Sequence, residues 1–187
     1  MMMIVIKLSG KVTEDSEALE QLTQEIAHLS RQGHPIVVVH GGGKQLSRMA
    51  RRMGLEQKQV NGRRITDAAT LELAKMVFAG SIQTDIVAAL RKHGASGVGL
   101  SGVDAQLIQA RKRPVWQVSC ARQQVSKTVD FGFVGDILHI DASLLNLLVN
   151  ASHIPVSSIT DANGTQVSFE YDSRGRLIKE SVNAGAE

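Results

Sequence analysis

The chain has 187 residues, 43% hydrophobic and 21% charged, an ordinary makeup for a globular domain with a sizeable core. A net charge of +3 with only 3% aromatic residues leaves little on which to stack bases, so no nucleic-acid partner is expected. The single cysteine, Cys120, excludes an internal disulfide, and the first apolar run, residues 1–6, is too short to cross a membrane, so a cytoplasmic protein with no membrane partner is expected.

Residues 3–8 are apolar and rich in β-branched side chains, which reads as a buried strand. Thr13 is placed to cap a following helix, and Glu14 and Asp15 suit its positive first turn. Leu19, Leu22, Ile26 and Leu29 give that helix one apolar stripe, which Gly33 and Pro35 end. Residues 36–39 are a second, continuously apolar strand. Strand, helix, strand is a βαβ unit with a parallel pair, and strands apolar on both faces require helices on each side. After the glycines at 41–43, a helix carries Leu46, Met49, Ala50 and Met53 as far as Gly54. Thr66 and Asp67 start another, with Leu71, Ala74, Val77 and Phe78 inward, ending near Gly80. Ser81 opens a fourth, with Ile82, Ile86, Ala89 and Leu90 inward, ending at Gly94. Residues 98–100 and 107–110 read as strands, and residues 115–140 as short strands and hairpins with a turn at Gly135-Asp136. Asp141 caps a leucine-rich helix through Val149, and residues 154–158 form a further strand. Beyond Asp161, Asn163-Gly164 signals a hairpin turn, residues 167–171 and 177–178 flank Asp172-Ser173-Arg174-Gly175 as a second hairpin, and residues 184–187 read as a frayed end.

Two glycine-bearing loops stand directly after the first two strands, Lys7-Leu8-Ser9-Gly10 and His40-Gly41-Gly42-Gly43. In a parallel sheet both emerge at the carboxyl edge, where ligands of open α/β sheets bind. Consecutive glycines let backbone N–H groups approach a ligand, and the second loop leads into a helix N-terminus, so together they form an anion cradle. The competing reading is two tight turns that need glycine for shape. The nucleotide motifs fail: Gly43-Lys44 is followed by Gln45 where a P-loop needs Ser or Thr, and Gly41-x-Gly43 meets Leu46 where the dinucleotide pattern needs glycine. Lys7, at the end of a strand read as buried, either neutralises a phosphoryl group or reaches solvent with its stem along the sheet edge. One of Arg63 and Arg64 suits a carboxylate clamp, and spacing does not choose between them. His40 positions its loop, Cys120 is a small apolar residue, and no Cys/His cluster has metal-ligand spacing.

In chain order, Ile6-Lys7-Leu8-Ser9-Gly10, Val38-Val39-His40-Gly41-Gly42-Gly43-Lys44, Asn61-Gly62-Arg63-Arg64-Ile65-Thr66, Val98-Gly99-Leu100-Ser101-Gly102 and Phe133-Val134-Gly135-Asp136-Ile137 resemble segments of the amino-acid kinase family. Within it they are most similar to the N-acetylglutamate kinases, collinearly over residues 3–165. The resemblance implies an α/β three-layer sandwich, with a mainly parallel central sheet and helices on both faces. It implies a kinase of arginine biosynthesis acting on N-acetyl-L-glutamate with ATP and Mg2+, pairing as a homodimer. By the same resemblance Lys7 is catalytic, Ser9 and Gly41 belong to the phosphate loops, and Gly10, Gly42, Gly43 and Arg64 bind substrate. Arg64, rather than Arg63, falls at the family's α-carboxylate arginine, and no metal site falls on these residues. Family members are longer, so a truncated chain is expected. Residues 1–165 would then be the N-acetylglutamate-binding and dimerisation domain, residues 166–187 a tail outside the family, and the ATP-binding half absent. The alternatives are a non-catalytic acid-binding or dimerisation module, and a sibling kinase for aminoadipate or aspartate.

Overall fold

The computed structural model describes residues 3–119, 126–158, 166–171 and 177–183. Its first unit is the expected βαβ: β1 (Ile4–Leu8) lies parallel to β2 (Ile36–His40), with Leu8 opposite His40. Between them runs α1 (Ser16–Arg31), which buries Leu19 and Ile26. Its cap is Asp15, whose carboxylate accepts the N–H groups of Glu17 and Ala18 from an extended backbone. Thr13 does not cap it. That residue sits one turn earlier, in a 3-10 helix (Val12–Glu14), and turns its hydroxyl back to the Gly10 carbonyl.

β2 delivers the chain into α2 (Gly43–Arg52), where Leu46 and Ala50 are buried; Met53, expected inward, lies past its end and is 56% exposed. A minimal hairpin follows, β3 (Gln59–Val60) and β4 (Arg63–Arg64), turning through Asn61 and Gly62 at φ 48° and 75°. Positive φ at both turn positions is what an Asn-Gly pair supplies. Asp67 caps α3 (Ala68–Lys75) by accepting the Thr70 N–H.

The break expected at Gly80-Ser81 is absent. α3 continues through a π-helical stretch, Met76–Ile82, into α4 (Gln83–Lys92). The glycines that do end helices, Gly33, Gly54 and Gly94, have φ of 82°, 68° and 78°; Gly80 is not among the positive-φ glycines and stays in the helix. Leu73 rather than Leu71 lies in the core, one turn ahead of Val77. By length and composition the run Ala68–Lys92 would cross a membrane, but Leu73, Val77, Phe78, Ile82, Ile86 and Leu90 are packed into the protein core.

β5 (Gly97–Leu100) precedes an outer layer of antiparallel pairs. β6 (Ile108–Lys112) pairs with β9 (Gly135–Ile140), and β7 (Trp116–Ser119) with β8 (Ser126–Val129). The turn expected at Gly135-Asp136 is instead the start of β9, opposite Lys112 and Arg111. A Cβ on Gly135 would lie 3.0 Å from that of Ala110, so the glycine serves close strand approach and not reversal. The Asp141 carboxylate accepts the Ser143 N–H at the head of α5 (Ser143–Asn150), and β10 (Ile154–Ser158) then enters the sheet. β11 (Gln166–Tyr171) and β12 (Leu177–Asn183) pair antiparallel. Cys120, the Asn163-Gly164 turn, the Asp172-Ser173-Arg174-Gly175 turn and residues 184–187 lie outside the described residues.

The central sheet is parallel throughout, in the order β1-β2-β10-β5. One face carries Leu8, Ile36, Val38, Ile154 and Val156 against α1, α2, α3, α4 and the π-helical stretch. The other face, with Val37 and Val39, meets α5, which packs on β2 and β10. Helices therefore cover both faces of a mainly parallel sheet. β1 departs from the uniformly buried strand that its composition suggests: Val5 is 42% exposed and Lys7 is exposed on the same face.

Candidate anion site at the carboxyl edge of the sheet

Because β1 and β2 run in parallel and in register, the loops that follow them leave the same sheet edge. The second loop is built from below. His40 is fully buried; its Nδ1 lies 3.0 Å from the Gly41 carbonyl, which makes that nitrogen the protonated donor. Burial pushes the His40 pKa below its ordinary value, while its bonds to the Gly41 carbonyl and the Gln83 side chain pull the other way. Above it, Gly42 is wedged against the π-helical stretch. A Cβ there would stand 2.6 Å from two atoms of the Phe78 ring and would also strike Ile82. Glycine at this position is a packing requirement.

Gly42 offers no side-chain cap to α2, and the first turn of α2 has no acidic residue. The unpaired N–H groups of that turn give the loop a partial positive charge facing the sheet edge. Arg64 adds a full charge. Its Nη2 donates to the Gly43 carbonyl at 3.2 Å and to the Ser47 hydroxyl at 2.8 Å, which lays the guanidinium along the start of α2. The Arg64 Nε is buried without a hydrogen-bond partner, and burial lowers the side chain's pKa. No carboxylate among the described residues forms an ion pair with it.

The loop after β1 joins the same cluster through one side chain. Gln45 Nε2 donates to the Thr13 hydroxyl at 2.7 Å, and Thr13 donates to the Gly10 carbonyl at 3.3 Å. The Gln45 Oε1 is buried, unpartnered, and 3.8 Å from where a Gly10 Cβ would sit. Gly10, Gly41, Gly42, Gly43 and Arg64 thus meet around the head of α2. Lys7 and Ser9 share the edge, but among the described residues no side-chain hydrogen bond ties either to Arg64 or to the glycines. The burial argument for Lys7 does not hold, because alternation along β1 turns it to the exposed face while Leu8 turns inward.

Arg63, next to Arg64 on β4, points elsewhere: its guanidinium lies 4.5 Å from the centre of the Trp116 ring. Sequence reasoning gave no site role to Gln45, Ser47 or Gln83, and read Phe78 and Ile82 only as inward-facing helix residues. Ser47 had a signal, since it falls four residues after Gly43 on the same helical face. Gln45 had a weaker one, as an uncharged polar residue beside Leu46 on a helix whose charged positions, Lys44, Arg48, Arg51 and Arg52, are exposed. The arrangement offers an anion hydrogen-bond donors and a fixed positive charge. His40 is fully buried beneath the loop with its Nδ1 committed to the Gly41 carbonyl, so no general base is assigned among the described residues. Among the described residues no three His, Cys, Asp or Glu side chains gather as metal donors.

A profile described as the amino acid kinase family matches residues 2–172. The acetylglutamate kinase of Bacteroides thetaiotaomicron is 41% identical over 171 residues, which cover 90% of this chain and 61% of that protein. The acetylglutamate kinase of Methanocorpusculum labreanum is 38% identical over 183 residues, covering 97% and 61%. A solved structure of N-acetylglutamate synthase from Neisseria gonorrhoeae, complexed with coenzyme A and L-arginine, superposes with a TM-score of 0.65. The match covers 83% of this chain and 35% of that one at 22% identity, a likeness of fold alone. The chain spans about three fifths of the length of the curated relatives it matches.

Proposed function

Since the chain belongs to the amino acid kinase family, we propose that this sheet edge is the acceptor site of an acetylglutamate kinase, which moves the γ-phosphoryl group of ATP to the side-chain carboxylate of N-acetyl-L-glutamate in arginine biosynthesis. The observation that carries the reading is Arg64, a half-buried guanidinium fixed to the head of α2, with no carboxylate partner among the described residues and one buried donor unused. A charge so placed is costly unless a bound anion completes it. In this reading residues 1–165 form the acid-binding and dimerisation part of a cytoplasmic homodimer.

The chemistry asks little of proton transfer. A carboxylate is already a nucleophile at neutral pH, and the barrier lies in bringing it to an anionic phosphoryl donor. Arg64 holds the α-carboxylate as a charge-assisted pair, which orients the side-chain carboxylate toward the loops. The N–H groups of Gly10, Gly42 and Gly43 face the charge that develops on the transferring group, with Ser9 and Gly41 shaping the two phosphate loops. Lys7, exposed at the same edge, is free to swing its ammonium over that group. Mg2+–ATP supplies the phosphoryl group and charge neutralisation; the described residues offer no donor cluster for the ion, so no ligand is assigned to it.

Calorimetry of the chain with N-acetyl-L-glutamate tests the reading. Saturable binding is expected, weakened by about ten- to a hundredfold in Arg64→Ala, the range for one buried charge-assisted hydrogen bond. Absence of binding by the wild type contradicts it. A second reading is a module that binds the acid without turning it over. Trapping of acyl phosphate with hydroxylamine in the presence of Mg2+–ATP separates the two.

A further inference from the structure

Arg63 and Arg64 are consecutive on β4, so their side chains leave opposite faces of the strand, one toward α2 and the other toward Trp116. The β3–β4 hairpin has two residues in each strand, far too few to hold its shape unaided. Its C-terminal side is bridged to the segment before β9: Thr66 N–H donates to the Phe131 carbonyl at 2.9 Å, and Phe133 N–H donates to the Thr66 carbonyl at 2.8 Å. Its strand side has the stack on Trp116. The same ring lies 5.9 Å from the guanidinium of Arg113, whose Nε and Nη2 both reach an Asp136 carboxylate oxygen, at 2.8 and 2.7 Å. The ring is thereby backed by a guanidinium anchored on β9.

We infer that Trp116 is a positioning residue for the acid site: by stacking on Arg63 it fixes the β3–β4 hairpin so that Arg64 stays aligned along the head of α2. This rests on the acid-binding reading of Arg64 and adds the device that holds that side chain in place. The interaction needs a π-face and a planar cation, so phenylalanine replaces Trp116 in part, leucine does not, and lysine replaces Arg63 poorly.

The experiment uses the full chain and N-acetyl-L-glutamate. Trp116→Leu is expected to weaken binding by about two- to fivefold, the range for a stack on an exposed ring, and Trp116→Phe by less than about twofold. Arg63→Lys carries the same comparison if Trp116→Leu does not fold. Equal affinity in Trp116→Leu and wild type, or equal loss in the phenylalanine and leucine variants, overturns the inference. If the wild type does not bind the acid, the reading of Arg64 fails, and the clasp is judged separately by hydrogen exchange at the Ile65 N–H, which donates to the Lys58 carbonyl. That amide should exchange faster in Trp116→Leu but not in Trp116→Phe. The same rate in all three proteins overturns the clasp. Trp116 is the only tryptophan in the chain, so acrylamide quenching of its fluorescence, which should rise in Arg63→Ala, reads the stack directly.

Discussion

The loops after β1 and β2 look alike in sequence, each ending a strand and each carrying glycine, yet glycine is needed for different reasons in the two. At Gly42 the neighbouring helix comes so close that no side chain fits, with the Phe78 ring 2.6 Å from the missing Cβ. At Gly10 the nearest atom is the Gln45 Oε1 at 3.8 Å, an ordinary contact. The second loop is therefore set by the packed core beneath it. The first is set by hydrogen bonds across its top, from Gln45 through Thr13 to the Gly10 carbonyl. A glycine motif thus has no single physical meaning; what it meets decides.

Substitutions that test this contrast range from severe to nearly silent. Gly42→Ala has the largest expected effect, about 1–3 kcal/mol of lost stability in urea unfolding because the Phe78 ring must move. Stability within about 0.5 kcal/mol of wild type would mean that the wedge is soft. Gln45→Leu removes the tie between the loops and should cost about 1 kcal/mol by the same titration, the net worth of one hydrogen bond. No loss would leave the first loop without its proposed support. His40 gives a pH signature. Burial depresses its folded pKa, so the unfolded chain takes up the proton first as pH falls below the ordinary value of 6.5. The contribution is whole above that pH and is lost as pH falls through the depressed folded value. His40→Asn should flatten the stability profile below pH 6.5, and an unchanged slope would place the titration elsewhere. Gly10→Ala should be the mildest, within about 0.5 kcal/mol. A loss as large as that of Gly42→Ala would erase the contrast.

Much of this was legible in the residues because it is periodic. The stripe Leu19, Ile26 on α1 and the unbroken run of β2 announce a helix packed on a parallel pair, and the shared edge of the two loops follows from that topology. The glycines at 33, 54 and 94 read correctly as helix ends because the chain must turn there. Gly80 has the same letter but no turn, and nothing local distinguishes it. For Lys7 the residues alone leave burial and exposure both open, because composition marks a strand as apolar without saying whether it lies at the sheet's edge. Thr13 and Asp15 both suit a cap, and the choice depended on an added 3-10 turn. Gln45, Gln83 and the Arg63–Trp116 stack depend on contacts between segments remote in sequence, which spacing along one segment does not encode.

The central claim is that the Arg64 guanidinium is the seat of a carboxylate. The most direct measurement is a two-dimensional 15N–1H spectrum of the arginine side chains during titration with N-acetyl-L-glutamate. The buried, unpartnered Arg64 Nε–H, identified by its loss in Arg64→Lys, should shift saturably as the acid binds. Saturable binding that moves other arginine signals and leaves that of Arg64 in place would contradict the account.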